Sequence, residues 1–273
     1  MKKTVIIHAG FHRCASTATQ DLIRQQRAAI ETTGTTIMLR EDLAGWLSGR
    51  QLRLLYRYRP EGLTSRLRLW LVKRMLRKTR ANRVLISEEL LLGLMPGVRE
   101  RGFYPNFGNF LSAMHALSDE FDIQLRFIVR RPDRFLESAY AFRVPRGLLG
   151  DFQSYLGTIG PDAGRWLPLL RQVEQCGLGR QTRFGVLEDL LGRDAGPAIM
   201  DFIGMADAAT DTARLPRGNR RPHSSEIQAL VGEGTQTGFS ESQRAGFLAS
   251  LEQDNDVFLC HPCVDATSDI WRD

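Results

Sequence analysis

The chain has only four cysteines in 273 residues, Cys14, Cys176, Cys260 and Cys263. They are too few and too scattered to staple a chain of this length, which points to a reducing compartment. No apolar run approaches the roughly 20 residues needed to span a bilayer. The opening MKKTVIIHAG breaks off at His8 instead of continuing as a signal-type stretch, so the expectation is a cytoplasmic protein with no transmembrane segment. Internal repeats and low-complexity tracts are lacking as well. A composition that is 42% hydrophobic and 25% charged, with 25 Gly and 11 Pro, excludes disorder, collagen and coiled coil. The length suits one domain over residues 1–273, with no second domain required.

Acids are scarce in one place. Residues 50–83 hold 12 Lys/Arg and a single acid, Glu61, so this segment carries +11 while the rest of the chain carries −5. Within it Leu63, Leu67, Leu71 and Met75 recur at four-residue steps beside Trp70, which predicts a helix with one packed face and one cationic face. A cationic face of this kind is either simply solvated or recruits an anionic glycan acceptor, a membrane surface or nucleic acid. No nucleic-acid-binding motif accompanies it, so nucleic acid ranks last.

Five short β-branched or apolar runs predict buried strands at Thr4–Ala9, Thr35–Leu39, Arg83–Ser87, Ile123–Val129 and Thr182–Leu187. Helical patterns lie between them, at Thr17–Ile30, Leu63–Arg80, Gly108–Leu117 and Gly164–Gln175, and another, Leu190–Ile203, follows the fifth. Alternation of this kind predicts an α/β fold with a central, mostly parallel sheet of about five strands and helices on both faces. A basic helical insertion is expected at about 41–82, and an irregular C-terminal region from about 205. Ligands of such sheets bind beyond the carboxyl ends of the strands.

The first predicted strand ends in His8-Ala-Gly-Phe-His-Arg-Cys-Ala-Ser-Thr17 and runs straight into a helix. Set against the nucleotide P-loop G-x-x-x-x-G-K-[ST], Gly10 and Thr17 fit, but Ala15 replaces the second glycine and Ser16 the lysine. A loop of this shape still aims backbone N–H groups and a helix N-terminus at an anion. Without the lysine that grips β- and γ-phosphates an ordinary NTPase is disfavoured, and Arg13 is the cation that remains. The bland alternative is a plain strand-to-helix turn.

The fourth strand ends in Arg130-Arg-Pro-Asp133 and leads to Ser138. Proline suits a first helical turn, which puts Arg130 at the strand end and Ser138 about two turns along, a pair able to share a phosphate or sulfate. The alternative is that Arg130 and Arg131 pair with Asp133 or Glu137 at the surface.

These pieces resemble a known family. Arg13-Cys-Ala-Ser-Thr17 resembles the K-[ST]-G-[TS]-[TS] loop that holds the 5′-phosphosulfate in sulfotransferases using 3′-phosphoadenylyl sulfate (PAPS). Arg130-Arg-Pro-Asp-(x)4-Ser138 resembles their R-x-P-x-(x)4-S element, whose arginine and serine bind the 3′-phosphate. Val186-Leu-Glu-Asp-Leu190 is similar to a V-x-Y-E-D-L strand end of the same families. Leu85-Ile-Ser-Glu-Glu89 looks like the third-strand element whose acid supplies the base in glycan-type members.

The resemblance implies a P-loop-type three-layer fold and a sulfuryl transfer from PAPS to a hydroxyl or amine of an acceptor. It assigns the cofactor to Arg13, Cys14, Ala15, Ser16, Thr17, Arg130 and Ser138, with Arg217 in a loose echo of the C-terminal R-K-G element. It departs from the family at Arg13, where lysine is usual, and at Ala15, where glycine is usual. Arginine stays charged, but its flat fork does not occupy the same point as an ammonium group. A non-catalytic nucleotide-binding protein on the same fold, or a kinase with an atypical P-loop, therefore stands beside the sulfotransferase.

Proton removal from an acceptor hydroxyl needs a base within hydrogen-bond reach. Glu88 and Glu89 follow a strand, so one should face the pocket while its neighbour turns away; Glu88 is the first choice, with His12 and His8 as competitors. Cys260-His-Pro-Cys263 is a poor metal or redox pair, because Cys14 and Cys176 form no second pair with it and it lies near the C-terminus. No metal is expected.

Overall fold

A computed structural model of the chain describes residues 2–97, 101–148, 150–209, 214–216, 224–267 and 269–271. Its strands are β1 (Thr4–His8), β2 (Thr35–Met38), β3 (Arg83–Ser87), β4 (Asp122–Val129), β5 (Thr182–Val186) and β6 (Val264–Asp265). They form one sheet in the order β2-β3-β1-β4-β5-β6, parallel at every pairing. Val5, Ile6 and Ile7 of β1 are all fully buried. Successive side chains point to opposite faces, so both faces of the sheet are covered, as a parallel sheet requires. The architecture is three-layer α/β.

Five strands match the predicted runs to within a residue or two. The sixth, β6, has only two residues and exists through its pairing with β5, where Phe184 lies opposite Val264. Beyond residue 205, where the sequence pattern lapses, the described residues form helices at Ser224–Val231, Glu241–Ala249 and Glu252–Leu259 before β6.

The order of strands locates the ligand crevice. From β1 the chain moves toward β2 on one side of the sheet, and from β4 it moves toward β5 on the other. Loops leaving the carboxyl ends of β1 and β4 therefore part, and a crevice opens between them.

The segment between β2 and β3 folds as helices Arg40–Ala44, Leu47–Leu52 and Leu63–Lys78, with a 3-10 turn at Leu55–Arg57. The face of Leu63–Lys78 that packs inward differs from the predicted one. Ser65, Val72, Met75 and Leu76 are buried, whereas Leu63 and Leu67 are 80% and 58% exposed. Residues at strict four-residue steps advance about 40° around a 3.6-residue helix each time. The series Leu63, Leu67, Leu71, Met75 thus starts on the solvent side and reaches the core only at its end.

Candidate functional site

Beneath the crevice lies an aromatic cluster. Phe11, the middle of the loop after β1, is buried with its ring 4.7 Å from Tyr104, 5.0 Å from Trp166 and 5.5 Å from Phe127. Trp166 also donates its indole N–H to the Arg130 carbonyl at 2.8 Å, so one cluster anchors the backbone of both arginine-bearing loops. Gly10 makes the turn out of β1 possible: a Cβ there would lie 2.6 Å from the Ser16 Cβ, closer than two carbons can approach.

The loop then takes two left-handed residues, Arg13 at φ 64° and Ala15 at φ 62°. For a residue with a side chain each costs free energy of order 1 kcal/mol. The second caps the helix Ser16–Gln25 with no side-chain hydrogen bond. The first-turn amides of that helix have no intrahelical acceptors, and their residues Ser16, Thr17 and Ala18 line the cavity.

The cavity measures about 340 Å³, within the usual range for small-ligand sites. Arg13, Ala15, Ser16 and Thr17 of the first element and Arg130 and Ser138 of the second all line it, so elements more than a hundred residues apart meet in one space. Arg13 Nε donates to Ser138 Oγ at 3.0 Å, and its guanidinium lies 4.9 Å from the Phe142 ring. Burial first, and then the positive charge of Arg130, push the Arg13 pKa below its ordinary value. It remains charged at neutral pH. Two guanidiniums and a helix N-terminus converging in a half-enclosed space define a site for an anion.

Carboxylates brace the same site. Glu188, from the strand-end motif after β5, accepts from the Arg131 N–H at 3.2 Å and lies 3.7 Å from Arg130 Nε. Arg131 turns away and forms a bidentate pair with the buried Asp133, at 2.8 and 3.0 Å. The pairing with Asp133 thus describes Arg131, although the pair is buried and not at the surface, while Arg130 faces the cavity.

Two expected assignments change, Glu88 and Cys14. Glu88 does not line the cavity: it is fully buried, accepts from Leu90 N–H at 3.1 Å, and pairs with Arg40 at 2.9 Å and Arg53 at 3.1 Å. Its backbone is still extended, so it points to the opposite side from the residue that follows. Glu89 is the acid in the cavity, where it accepts from Ser16 Oγ at 2.6 Å and lies 3.4 Å from Arg40. The Cys14 thiol turns into the core, burial raises its pKa, and the Cys14 N–H donates to the Phe11 carbonyl at 3.2 Å, so neither group is offered to a ligand. Arg217 lies outside the described residues; its neighbours Leu215 and Pro216 line the cavity.

His12 lines the cavity with its backbone N–H donating to Tyr104 Oη at 3.0 Å. Burial lowers its pKa, with Glu89 working against the shift, so the imidazole is neutral at pH 7. His8 lies fully buried in β1, with Nδ1 2.8 Å from Ser87 Oγ.

Phe142, Tyr104 and Arg40 were not among the expected residues. Phe142 stands four residues after Ser138 on the helix Pro132–Arg143, and that spacing on one face was a usable signal. Tyr104 and Arg40 reach the site only through tertiary contacts. Cys263 donates its thiol to Gly179 O, and among the described residues no group of three or more His, Cys, Asp or Glu side chains could hold a metal ion. Comparison of the chain with protein-family models, curated proteins and solved structures found no match.

Proposed function

We propose that the chain is a sulfotransferase that moves a sulfuryl group from PAPS to a hydroxyl of an acceptor. The observation that carries this reading is the meeting of Arg13, Arg130 and Ser138, with the N-terminus of the helix Ser16–Gln25, in one cavity at the sheet's switch point. The donor set fits PAPS, which is anionic at both its phosphosulfate and its 3′-phosphate. First-turn amides with Ser16 and Thr17 would hold the phosphosulfate, and Arg130 with Ser138 the 3′-phosphate. PAPS would supply the sulfuryl group and a stable anionic leaving group.

The rest of the work falls to side chains of this chain. Arg13 would offset negative charge that grows at the leaving oxygen, a preorganised role that needs no metal-like ligand set. Glu89 would take the proton from the acceptor hydroxyl at a carboxylate oxygen, because it and not Glu88 borders the cavity. Transfer of this type depends on alignment and charge stabilisation more than on covalent chemistry.

A second reading, a nucleotide-binding protein without turnover, is favoured by the hold on Arg13: Ser138 Oγ accepts from its Nε and the Phe142 ring lies 4.9 Å from its guanidinium, so the helix Pro132–Arg143 already engages the cation. The test begins with calorimetric titration of 3′-phosphoadenosine 5′-phosphate (PAP) against ATP. Preference for ATP would overturn the sulfotransferase reading. Transfer of labelled sulfate to a panel of hydroxylated acceptors is then measured for the parent, Arg13→Ala and Arg13→Lys. A parent enzyme should lose about 10²–10³-fold on Arg13→Ala, as when one preorganised charge-stabilising donor is removed. A parent that only binds PAP gains turnover, if at all, in Arg13→Lys.

A further inference from the structure

The helix Leu63–Lys78 has an outward stripe that its fold leaves uncovered. Leu63, Leu67 and Trp70 follow one another at helical spacing and are 80%, 58% and 48% exposed. Trp46 and Leu47, exposed at 53% and 64%, meet the later half of the same helix, at Leu71, Arg74, Met75 and Lys78. Five of the eight large hydrophobic side chains exposed among the described residues therefore belong to one stretch of chain, 46–70. Between the two helices lies a groove of about 550 Å³, floored by Met38, Leu71 and Met75 and rimmed by Trp46, Arg74 and Lys78. The Arg74 guanidinium sits 5.5 Å from the Trp70 ring.

We propose that this surface seats the protein on an anionic phospholipid bilayer. Charge and shape argue for that occupant together. The segment that carries the stripe has a net +11, and Arg66, Arg74, Lys78 and Arg80 are exposed on it. Cations at this density gain about 1 kcal/mol each near an anionic leaflet. Leucines that face outward between them have no role in holding a free polyanion, but they enter the boundary between headgroups and acyl chains. Tryptophan is the side chain favoured at that depth, and long arginine and lysine stems reach back from it to the headgroups. A second copy of the chain would bring an equal positive charge against the first, which disfavours self-association through this face. The helix leads into the amino end of β3, so its Leu63 end lies toward the carboxyl ends of the strands, where the cavity also opens. The proposal concerns attachment and stands whether or not the chain transfers a sulfuryl group.

The full chain is sedimented with vesicles of phosphatidylcholine alone and of phosphatidylcholine mixed with phosphatidylserine, at physiological salt. Binding to the mixed vesicles is expected to exceed binding to the neutral ones by about tenfold or more. Bromine-labelled acyl chains should quench the tryptophan emission and mixed vesicles should shift it to the blue, because Trp46 and Trp70 are exposed while Trp166 and Trp271 are buried. The triple variant Trp46→Ser, Leu67→Ser, Trp70→Ser should keep the parent's melting temperature and lose about tenfold or more in vesicle binding. Arg74→Glu with Lys78→Glu should abolish the preference for phosphatidylserine. Failure to sediment with mixed vesicles overturns the proposal, and so does sedimentation without bromine quenching, which would mean cationic adhesion alone. Parent-like vesicle binding by the triple variant refutes it too. Binding of heparin or RNA in place of vesicles would reassign the surface to a soluble polyanion.

Discussion

Replacing Glu88 by glutamine separates the acid that holds the fold from the acid that faces the cavity. The Glu88 carboxylate is fully buried, accepts from Arg40 and from the Leu90 N–H, and lies 3.1 Å from Arg53 Nε in an ion pair. Glutamine keeps the shape and one acceptor for Leu90, but it loses the charge and turns an NH2 group toward two guanidiniums. Removing one partner of a fully buried ion pair costs about 3–5 kcal/mol. Here Arg40 and Arg53 retain 43% and 26% side-chain exposure and can rehydrate, which lowers the cost. Hydrogen bonds to charged groups contribute about 1.5–3 kcal/mol, so a loss of about 2–3 kcal/mol follows. For a chain of this size that corresponds to a fall in Tm of roughly 5–10 °C, read by scanning calorimetry. Glu89→Gln should show the converse, with Tm within about 2 °C of the parent, since its carboxylate is partly solvated, and sulfuryl transfer reduced. A Glu88→Gln protein that melts with the parent would refute the buried-pair reasoning, and one that loses transfer at unchanged Tm would return Glu88 to the role of base.

Ala15→Gly should raise Tm by roughly 1–3 °C: relief of a left-handed alanine is worth about 1–2 kcal/mol, and the extra freedom of the unfolded chain takes back about 0.4–1 kcal/mol. A lower Tm would argue against the left-handed geometry at φ 62°. Arg130→Ala should remove most of the rise in Tm that PAP produces, and Ser138→Ala less of it, because an apolar side chain cannot replace a charge-assisted contact to a phosphate; a parent-like rise in Arg130→Ala would sink the phosphate assignment. Acid should weaken the fold through His8, whose burial lowers its pKa from 6.5 to about 4. Between those values the unfolded imidazole holds a proton that the folded one does not, so stability falls as pH falls, by about 3 kcal/mol over the window. His8→Gln should reduce the drop in Tm between pH 6.5 and 4, leaving the part due to His12, whose pKa burial also lowers; an unchanged profile would clear His8 of the effect.

How much of this was legible in the sequence depends on the range of the interactions involved. β1 to β5 are built mainly of buried β-branched and apolar residues, with half-buried polar positions in β4 and exposed Arg183 in β5, and their composition marks them without help from the rest of the chain. β6 carries no such signal, since two residues have no period and only β5 defines them. The same contrast divides Glu88 from Glu89. Adjacent acids after a strand must point in opposite directions, and that much is local. Which one turns inward was decided by Arg40, at the start of a helix, and Arg53, just past the end of the next, 48 and 35 positions earlier in the chain. The stripe of Leu63–Lys78 erred for a different reason: a four-residue repeat looks like a face when the helical period is ignored, and the exposed leucines at its start were the cost of that approximation.

The loop after β1 shows why two departures from a familiar pattern leave the anion site intact. Glycine is favoured where a chain must turn left-handed, yet Arg13 and Ala15 both adopt that conformation here. The turn is enforced from outside the loop. Phe11 is locked into the aromatic cluster, Cys14 is buried, and the close passage of Gly10 against Ser16 fixes where the helix Ser16–Gln25 begins. With both ends fixed, the intervening residues take whatever dihedrals join them, and the strain is offset by burial on either side. The helix amides are consequently aimed by the core and not by the identity of residues 13 and 15. Substitutions at those two positions therefore tune charge and strain at the mouth of the cavity, while the direction in which the cavity attracts an anion is set by Phe11, Cys14 and the order of the strands.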